Sequence, residues 1–546
     1  MRRVATIIAA GLLAAGCTSV EEGPGPHAAQ EACDPELLSA LGKWADAGFS
    51  GAVAITGGGA DCRAAFGTAD GTAPNTDDTV FAIGSVSKGF TAAAILDLAQ
   101  DGALALDDPA GALLPGLTGP AADATVEQLL VHTSGLEGDH GDGDHRPLDR
   151  DRAVADLSAL GSAFEPGTDF LYSNAGYTLL ALIVDEATGS YRDYMAEEIL
   201  TLGGGFWDGE PAAPGPRAMG EVDGAPAVEN GQFAGPHWAL EGNGDLAMTA
   251  GQLADWTKAL FEGEVIDPAA VEALEATRFD YGDGTAEIPG WVSVGAEVFG
   301  VPLVTASGGG GDTGHNAVAT WLPDQGVSIA VTSNSERINA GQLAELVVPA
   351  VAAGEPLPEP EPRIEADPAE LQALAGEYAL ATGGSYTVTA AEDGLEVAAE
   401  GADAVAAMFA SPDFAPEDVA AHEAAVLALL DGETEIGREE LAAIEAEIGA
   451  VEAVELAGTA GEDELRTYLE LATAAGTVLA WYALDEHGGV GALAVDTGPP
   501  TFTLVPTAAG EYRRDLFNVE DGVEVVFTDD AMTVTGPAGT AEAGRS

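Results

Sequence analysis

Lysine is almost missing. In 546 residues it occurs three times, as Lys43, Lys88 and Lys258, and Lys and Arg together number 19 against 91 Asp and Glu. The net charge of −72 repels phosphate backbones and anionic lipid head groups, which argues against nucleic-acid binding and against electrostatic docking on a membrane. Cysteine is equally scarce: Cys17, Cys33 and Cys62 have no metal-type partner spacing. The N-terminal apolar run, Val4 to Gly16, is too short to span a bilayer as a mature helix. Yet 46% of the residues are hydrophobic, so the chain folds and is not a disordered acidic tail. Such an acidic surface suits a host living in salt, where screening tames self-repulsion.

What is present begins with Met1-Arg2-Arg3 and that apolar run, the pattern of a secretory signal. Leu13-Ala14-Ala15-Gly16-Cys17 resembles the lipobox of bacterial lipoproteins, which implies cleavage before Cys17 and its lipidation, with residues 18–32 as a tether. An ordinary signal peptide that happens to contain a cysteine is the alternative. In an exported protein the two remaining cysteines, Cys33 and Cys62, suggest one disulfide stapling the N-terminal segment to an early hairpin.

The stretch that organises the chain is Phe81 to Phe90, followed by helix formers at helical spacing from Thr91 to Leu98. Ser85 falls in the first turn and Lys88 one turn further along the same face. A serine hydroxyl needs a neighbouring base, and an amine that can give up its proton supplies one where arginine cannot. The helix N-terminus adds a backbone N–H and a positive field for an anionic intermediate. Further on, Pro166-Gly167 makes a turn before Tyr172-Ser173-Asn174 and an apolar helix over Thr178–Thr188. A Tyr hydroxyl can move a proton there, and an Asn can orient a carbonyl or the Lys. Between these motifs, Asp139 to His145 interleaves His140 and His145 with aspartates; its spacing fits no ligand pattern, and a solvated loop is expected, with no metal and no cofactor.

In order and spacing, Ser85-Val86-Ser87-Lys88, Gln128 to Leu136 (with His132-Thr133-Ser134-Gly135) and Tyr172-Ser173-Asn174 resemble the serine β-lactamase and penicillin-binding-protein superfamily. The resembling branch holds class C β-lactamases, DD-carboxypeptidases, D-amino-acid peptidases and family VIII-type esterases. Gly242 to Ala250, with Leu253 and Trp256, also resembles a segment of it, and the likeness runs from about Cys33 to Leu346. The resemblance implies acyl transfer: Ser85 as nucleophile, Lys88 and Tyr172 sharing the proton, Asn174 orienting, and the N–H groups of Ser85 and Gly311 holding the oxyanion.

The third motif departs from the pattern. The family expects Lys-Thr-Gly or His-x-Gly on a strand lining the site, and the chain reads Thr305-Ala306-Ser307-Gly308-Gly309-Gly310-Gly311-Asp312-Thr313-Gly314-His315. Registering from Gly314 puts Gly308 where the cation belongs, with Gly309 and Gly310 letting substrate approach the backbone. His315, or a register with Asp312-Thr313-Gly314 as the motif, remains the other option. Loss of the cation weakens binding of a substrate carboxylate and favours a neutral ester or amide.

The expected fold is α/β (α+β): a β-lactamase/transpeptidase-like domain over residues 33–350, with an antiparallel sheet flanked by helices plus a helical subdomain, then a Pro-rich linker over 351–366. Alternating segments over 367–546 predict a β-rich accessory domain, with an α+β insertion at about 400–497. The expected protein is an exported, lipid-anchored monomeric hydrolase in the bacterial cell envelope, acting on an ester or amide, with no nucleic-acid partner. Its rivals are a non-catalytic envelope binding protein using the inherited cleft, and a true β-lactamase or DD-carboxypeptidase.

Overall fold

The computed structural model describes residues 33–546 apart from 138–147, 223–224, 228–236, 311–313, 336, 361–362, 365, 392, 410–413, 431–434, 462–463, 485–488, 516–522 and 529. Cys17 and the His140–His145 loop lie outside the described residues. The chain divides into two compact units, up to Glu359 and from Pro360 onward.

The first unit is built on an eight-stranded antiparallel sheet. Its order is Phe279–Asp280, Thr285–Ile288, Trp291–Val294, Leu303–Gly310, His315–Leu322, Val327–Ser333, Gly51–Gly57 and Ala60–Phe66. The run Gly51 to Ile55 is buried on both faces, so it reads as continuous apolar sequence without alternation. The helices Ala250–Phe261 and Ala340–Ala353 pack on the central strands, each started by a capping box, Thr249 with Gln252 and Asn339 with Gln342. A disulfide joins Cys33, just before the helix Pro35–Asp46, to Cys62 on the last strand of the sheet.

At the centre lies the helix Ser87–Gln100, buried from Ser87 to Leu98 except at Asp97. A helix apolar all round belongs inside a core, and its alanines let neighbours approach from every side. One neighbour is the helix Asn174–Thr188, capped by the Ser173 hydroxyl and ended by Gly189 in the left-handed conformation.

The second unit is a closed barrel of eight strands in which Gly376–Leu380 pairs with the final strand, Gly539–Arg545. Period-two alternation sends Tyr378, Tyr386, Val388, Leu395 and Val397 inward. Between Leu395–Glu400 and Thr501–Ala508 the chain leaves the barrel to form helices Ala402–Phe409, Pro416–Leu429 and Glu435–Ile448 and a four-stranded antiparallel sheet. The alternation missed the strand Leu465–Thr473, whose Arg466, Thr467 and Glu470 interrupt the apolar pattern, and the short helix Ala402–Phe409, whose Met408 and Phe409 fill the barrel core. No described helix is long and apolar enough to cross a membrane.

Candidate active site

Ser85 sits in a 3-10 turn, Gly84–Val86, one step before the central helix begins at Ser87. The turn needs Gly84 at φ 49°, a conformation that a Cβ disfavours. Lys88, only 2% exposed, lies one turn on. Its Nζ donates to Ser85 Oγ at 3.1 Å, to Asn174 Oδ1 at 2.8 Å and to the Asn243 carbonyl at 3.0 Å. Three acceptors match the three N–H bonds of an ammonium. The Tyr172 hydroxyl donates to the same Ser85 Oγ at 2.8 Å, and Lys88 Nζ lies 4.8 Å from the centre of the Tyr172 ring. Two segments far apart in the chain, Ser85 to Lys88 and Tyr172 to Asn174, therefore meet, with Lys88 and Tyr172 on the Ser85 oxygen and Asn174 on Lys88.

His132 holds Tyr172 from both sides. Its carbonyl accepts from Leu171 N–H at 2.9 Å and its Nδ1 from Ser173 N–H at 3.0 Å, while its ring lies 4.5 Å from that of Tyr172. It does so with φ at 56°, one of two non-glycine residues beyond zero among the described residues, a local strain that a functional site retains. Burial and the positive charge of Lys88 push its pKa down to about 3, so the ring is neutral. With Nδ1 accepting, its proton is on Nε2, which faces Glu287 Oε1 at 3.8 Å.

Glu287, on the strand Thr285–Ile288, had no place in the sequence reading. It is 7% exposed, and its other oxygen accepts from Tyr281 OH at 3.0 Å. Burial raises its pKa to about 7, against the opposing pull of the Tyr281 hydrogen bond and the Lys88 charge. Asn243 was quoted only as part of a similar segment; its carbonyl is a ligand of Lys88, and its side chain donates to Thr178 Oγ1 and Ala239 O. Neither residue carries a local signal, because each reaches the site only through the fold.

The third motif is in a different register from the one expected. Gly308 is buried, and a Cβ on it would lie 2.2 Å from Ile83 O and 2.6 Å from Ser85 N. This is the glycine that lets the strand touch the nucleophile turn, so it is the third residue of the motif, not its first. Ala306 then occupies the cation's position, with its side chain buried in the core, and Ser307 is the middle residue. Beyond Thr305 this strand no longer pairs with Trp291–Val294, and its free edge borders the turn. A Cβ on Gly84 would lie 2.9 Å from Gly309 N, so the Gly309 backbone nitrogen lies against the nucleophile turn. Gly311 lies outside the described residues, and Gly310 pairs with His315. His315 does not serve as the missing cation: it is buried against Phe81 and Trp207, and burial pushes its pKa down to about 4. Among the described residues no acidic, His or Cys cluster could hold a metal ion.

Known proteins share this arrangement's fold and parts of its sequence. The family described as Beta-lactamase matches residues 41–352. The chain is similar to a putative penicillin-binding protein, PbpX, of Bacillus subtilis (strain 168), 30% identical over 254 residues that are 44% of this chain and 63% of that protein. It is similar to the esterase EstB of Burkholderia gladioli, 37% identical over 148 residues, 23% of this chain and 38% of that one. The matches thus span less than two thirds of either curated relative. An octameric penicillin-binding protein homologue from Pyrococcus abyssi has the same fold, with a TM-score of 0.51 at 19% identity over 87% of this chain and 97% of that one.

Proposed function

Since the chain belongs to the Beta-lactamase family, we propose that it is a serine hydrolase that cleaves an ester or amide through an acyl-enzyme on Ser85. The observation that carries this reading is the double hold on one oxygen: Tyr172 OH at 2.8 Å and Lys88 Nζ at 3.1 Å from Ser85 Oγ. Removing one proton from the Lys88–Tyr172 pair turns one of these donors into an acceptor for the Ser85 hydroxyl proton. Ser85 Oγ then bonds the substrate carbonyl carbon, and the carbonyl electrons move to its oxygen, which the Ser85 and Gly309 N–H groups receive. As the tetrahedral species collapses, the bond to the alcohol or amine breaks and the pair returns the proton to that leaving group. Water repeats the sequence on the acyl-enzyme and frees the acid. Asn174 and the Asn243 carbonyl keep Lys88 aimed at Ser85 throughout.

With Ala306 at the cation's position, a substrate carboxylate has no fixed partner there, which favours esters and amides over β-lactams and D-Ala-D-Ala ends. The lipobox-like segment at Cys17 and the Cys33–Cys62 bridge, which persists in an oxidising compartment, both support a hydrolase outside the cytoplasm on a lipid anchor. The test is intact mass after a fluorophosphonate, in high salt, with Ser85→Ala alongside. One adduct on wild type and none on a folded Ser85→Ala is expected. No adduct on folded wild type would instead favour the non-catalytic binding protein.

A further inference from the structure

Beside the reacting groups lies a set of rings that no step above uses. Phe170 is two residues from Tyr172, and its ring packs edge-on against His132 at 5.8 Å. Phe279 stacks on Phe170 at 5.8 Å, and Tyr281 meets Phe170 at 5.1 Å and Phe279 at 5.6 Å. Aromatics are 6% of the chain, yet five of them come within two ring contacts of the one histidine that holds Tyr172: the buried Tyr177, and Phe170, Tyr172, Phe279 and Tyr281. The last four are open to solvent: Tyr172 is 48% and Tyr281 40% exposed, two of the eight exposed large hydrophobics among the described residues, and Phe170 and Phe279 are half-buried. Exposed rings packed together beside a nucleophile offer a surface that a flat apolar group can cover at no cost in polar desolvation.

We propose that Phe170, Phe279, Tyr281 and the outer face of Tyr172 form a subsite for an uncharged aryl or similarly flat apolar group on the substrate's acyl side. The charges around the rings agree with that class. Lys88 spends its N–H bonds on Ser85, Asn174 and Asn243, His132 and His315 are held neutral by burial, and Ala306 replaces the cation. Glu287 is covered and tied to Tyr281, and Arg278, the cation next to Phe279, is already paired with Asp280. An anionic acyl group would have to displace that carboxylate to gain a partner in an otherwise acidic protein.

This inference rests on the acyl-enzyme reading, and the experiment separates the two. The full-length protein is assayed by pH-stat on ethyl phenylacetate, ethyl acetate and the anionic monoethyl succinate, and each variant is checked for the fluorophosphonate adduct. Wild type is expected to favour phenylacetate over acetate in kcat/KM by about tenfold or more and to turn over the succinate slowest. Phe279→Ala should bring the phenylacetate preference to within about threefold, with Phe279→Leu, which keeps the apolar bulk and guards against misfolding, in between. An adduct on wild type with no aryl preference, or a preference that either variant keeps in full, overturns the subsite and leaves the acyl-enzyme intact. No adduct on wild type overturns both.

Discussion

Glu287 is held in a place where its charge is unwelcome, and the sign of the consequence can be worked out. Its pKa is raised to about 7, so the fold favours the protonated acid over the carboxylate. The stability this provides is complete below the unfolded-chain value of about 4.3 and is lost as pH rises through 7, a swing of about 4 kcal/mol. Glu287→Gln, neutral at every pH, is therefore expected to gain little on wild type near pH 5 and to melt well above it at pH 8. The same substitution removes a negative charge that favours cationic Lys88, so the acid limb of the kcat/KM profile should move to lower pH. Thermal melts at the two pH values and one pH–rate profile check both; a melting difference that is the same at pH 5 and pH 8 would show that Glu287 is ionised throughout. Of the site, the residues legible in the sequence were those whose chemistry depends on local spacing. Ser85 and Lys88 share one helical face, and Tyr172 and Asn174 precede one helix start. Glu287 looks like any other acid among 91.

The strand Leu303–Gly310 shows why an element can be legible while its register is not. The four successive glycines of the sequence, Gly308 to Gly311, carry no side chain by which a register could be recognised, so counting back from Gly314 was the available anchor, and the close approach of Gly308 to the nucleophile turn argues for a register two residues earlier. Packing sets the register instead, at the glycine that the Ile83–Val86 backbone touches. A contrast between neighbours follows. On Gly308 a methyl group meets backbone atoms, Ile83 O at 2.2 Å and Ser85 N at 2.6 Å, which cannot step aside without moving the nucleophile. On Gly309 it meets Asn316 Oδ1 at 2.5 Å, a side-chain atom that can rotate away. Gly308→Ala is expected to lose about 1–3 kcal/mol of stability and to slow Ser85 labelling by about tenfold or more, with Gly309→Ala affected less on both counts. Labelling rates and melts of the two variants decide it, and equal labelling rates would return the register to Gly311.

At the scale of the whole molecule, the β-rich second unit was foreshadowed by alternation, because that pattern reports which face is buried. Barrel closure by Gly376–Leu380 on Gly539–Arg545 was not, since pairing of the first strand with the last leaves no mark on either one. What composition does report is the field that every element shares. A net charge of −72 on 546 residues puts carboxylates close together over both units, and several of the few cations are spent on ion pairs, such as Arg150 with Asp185 and Glu186, and Arg63 with Asp255. The repulsion that remains is greatest in the compact state and is screened over about 10 Å at 0.1 M salt but about 3 Å at 1 M. The melting temperature is therefore expected to rise by several degrees between 0.1 and 1 M sodium chloride, a salt chosen because sulfate would strengthen apolar burial in any protein. Both units should respond, so if the melt resolves into two transitions, each should shift upward. A melting temperature that stays flat over this range would show that the carboxylates are already accommodated at low salt, and that the acidic surface serves solubility alone.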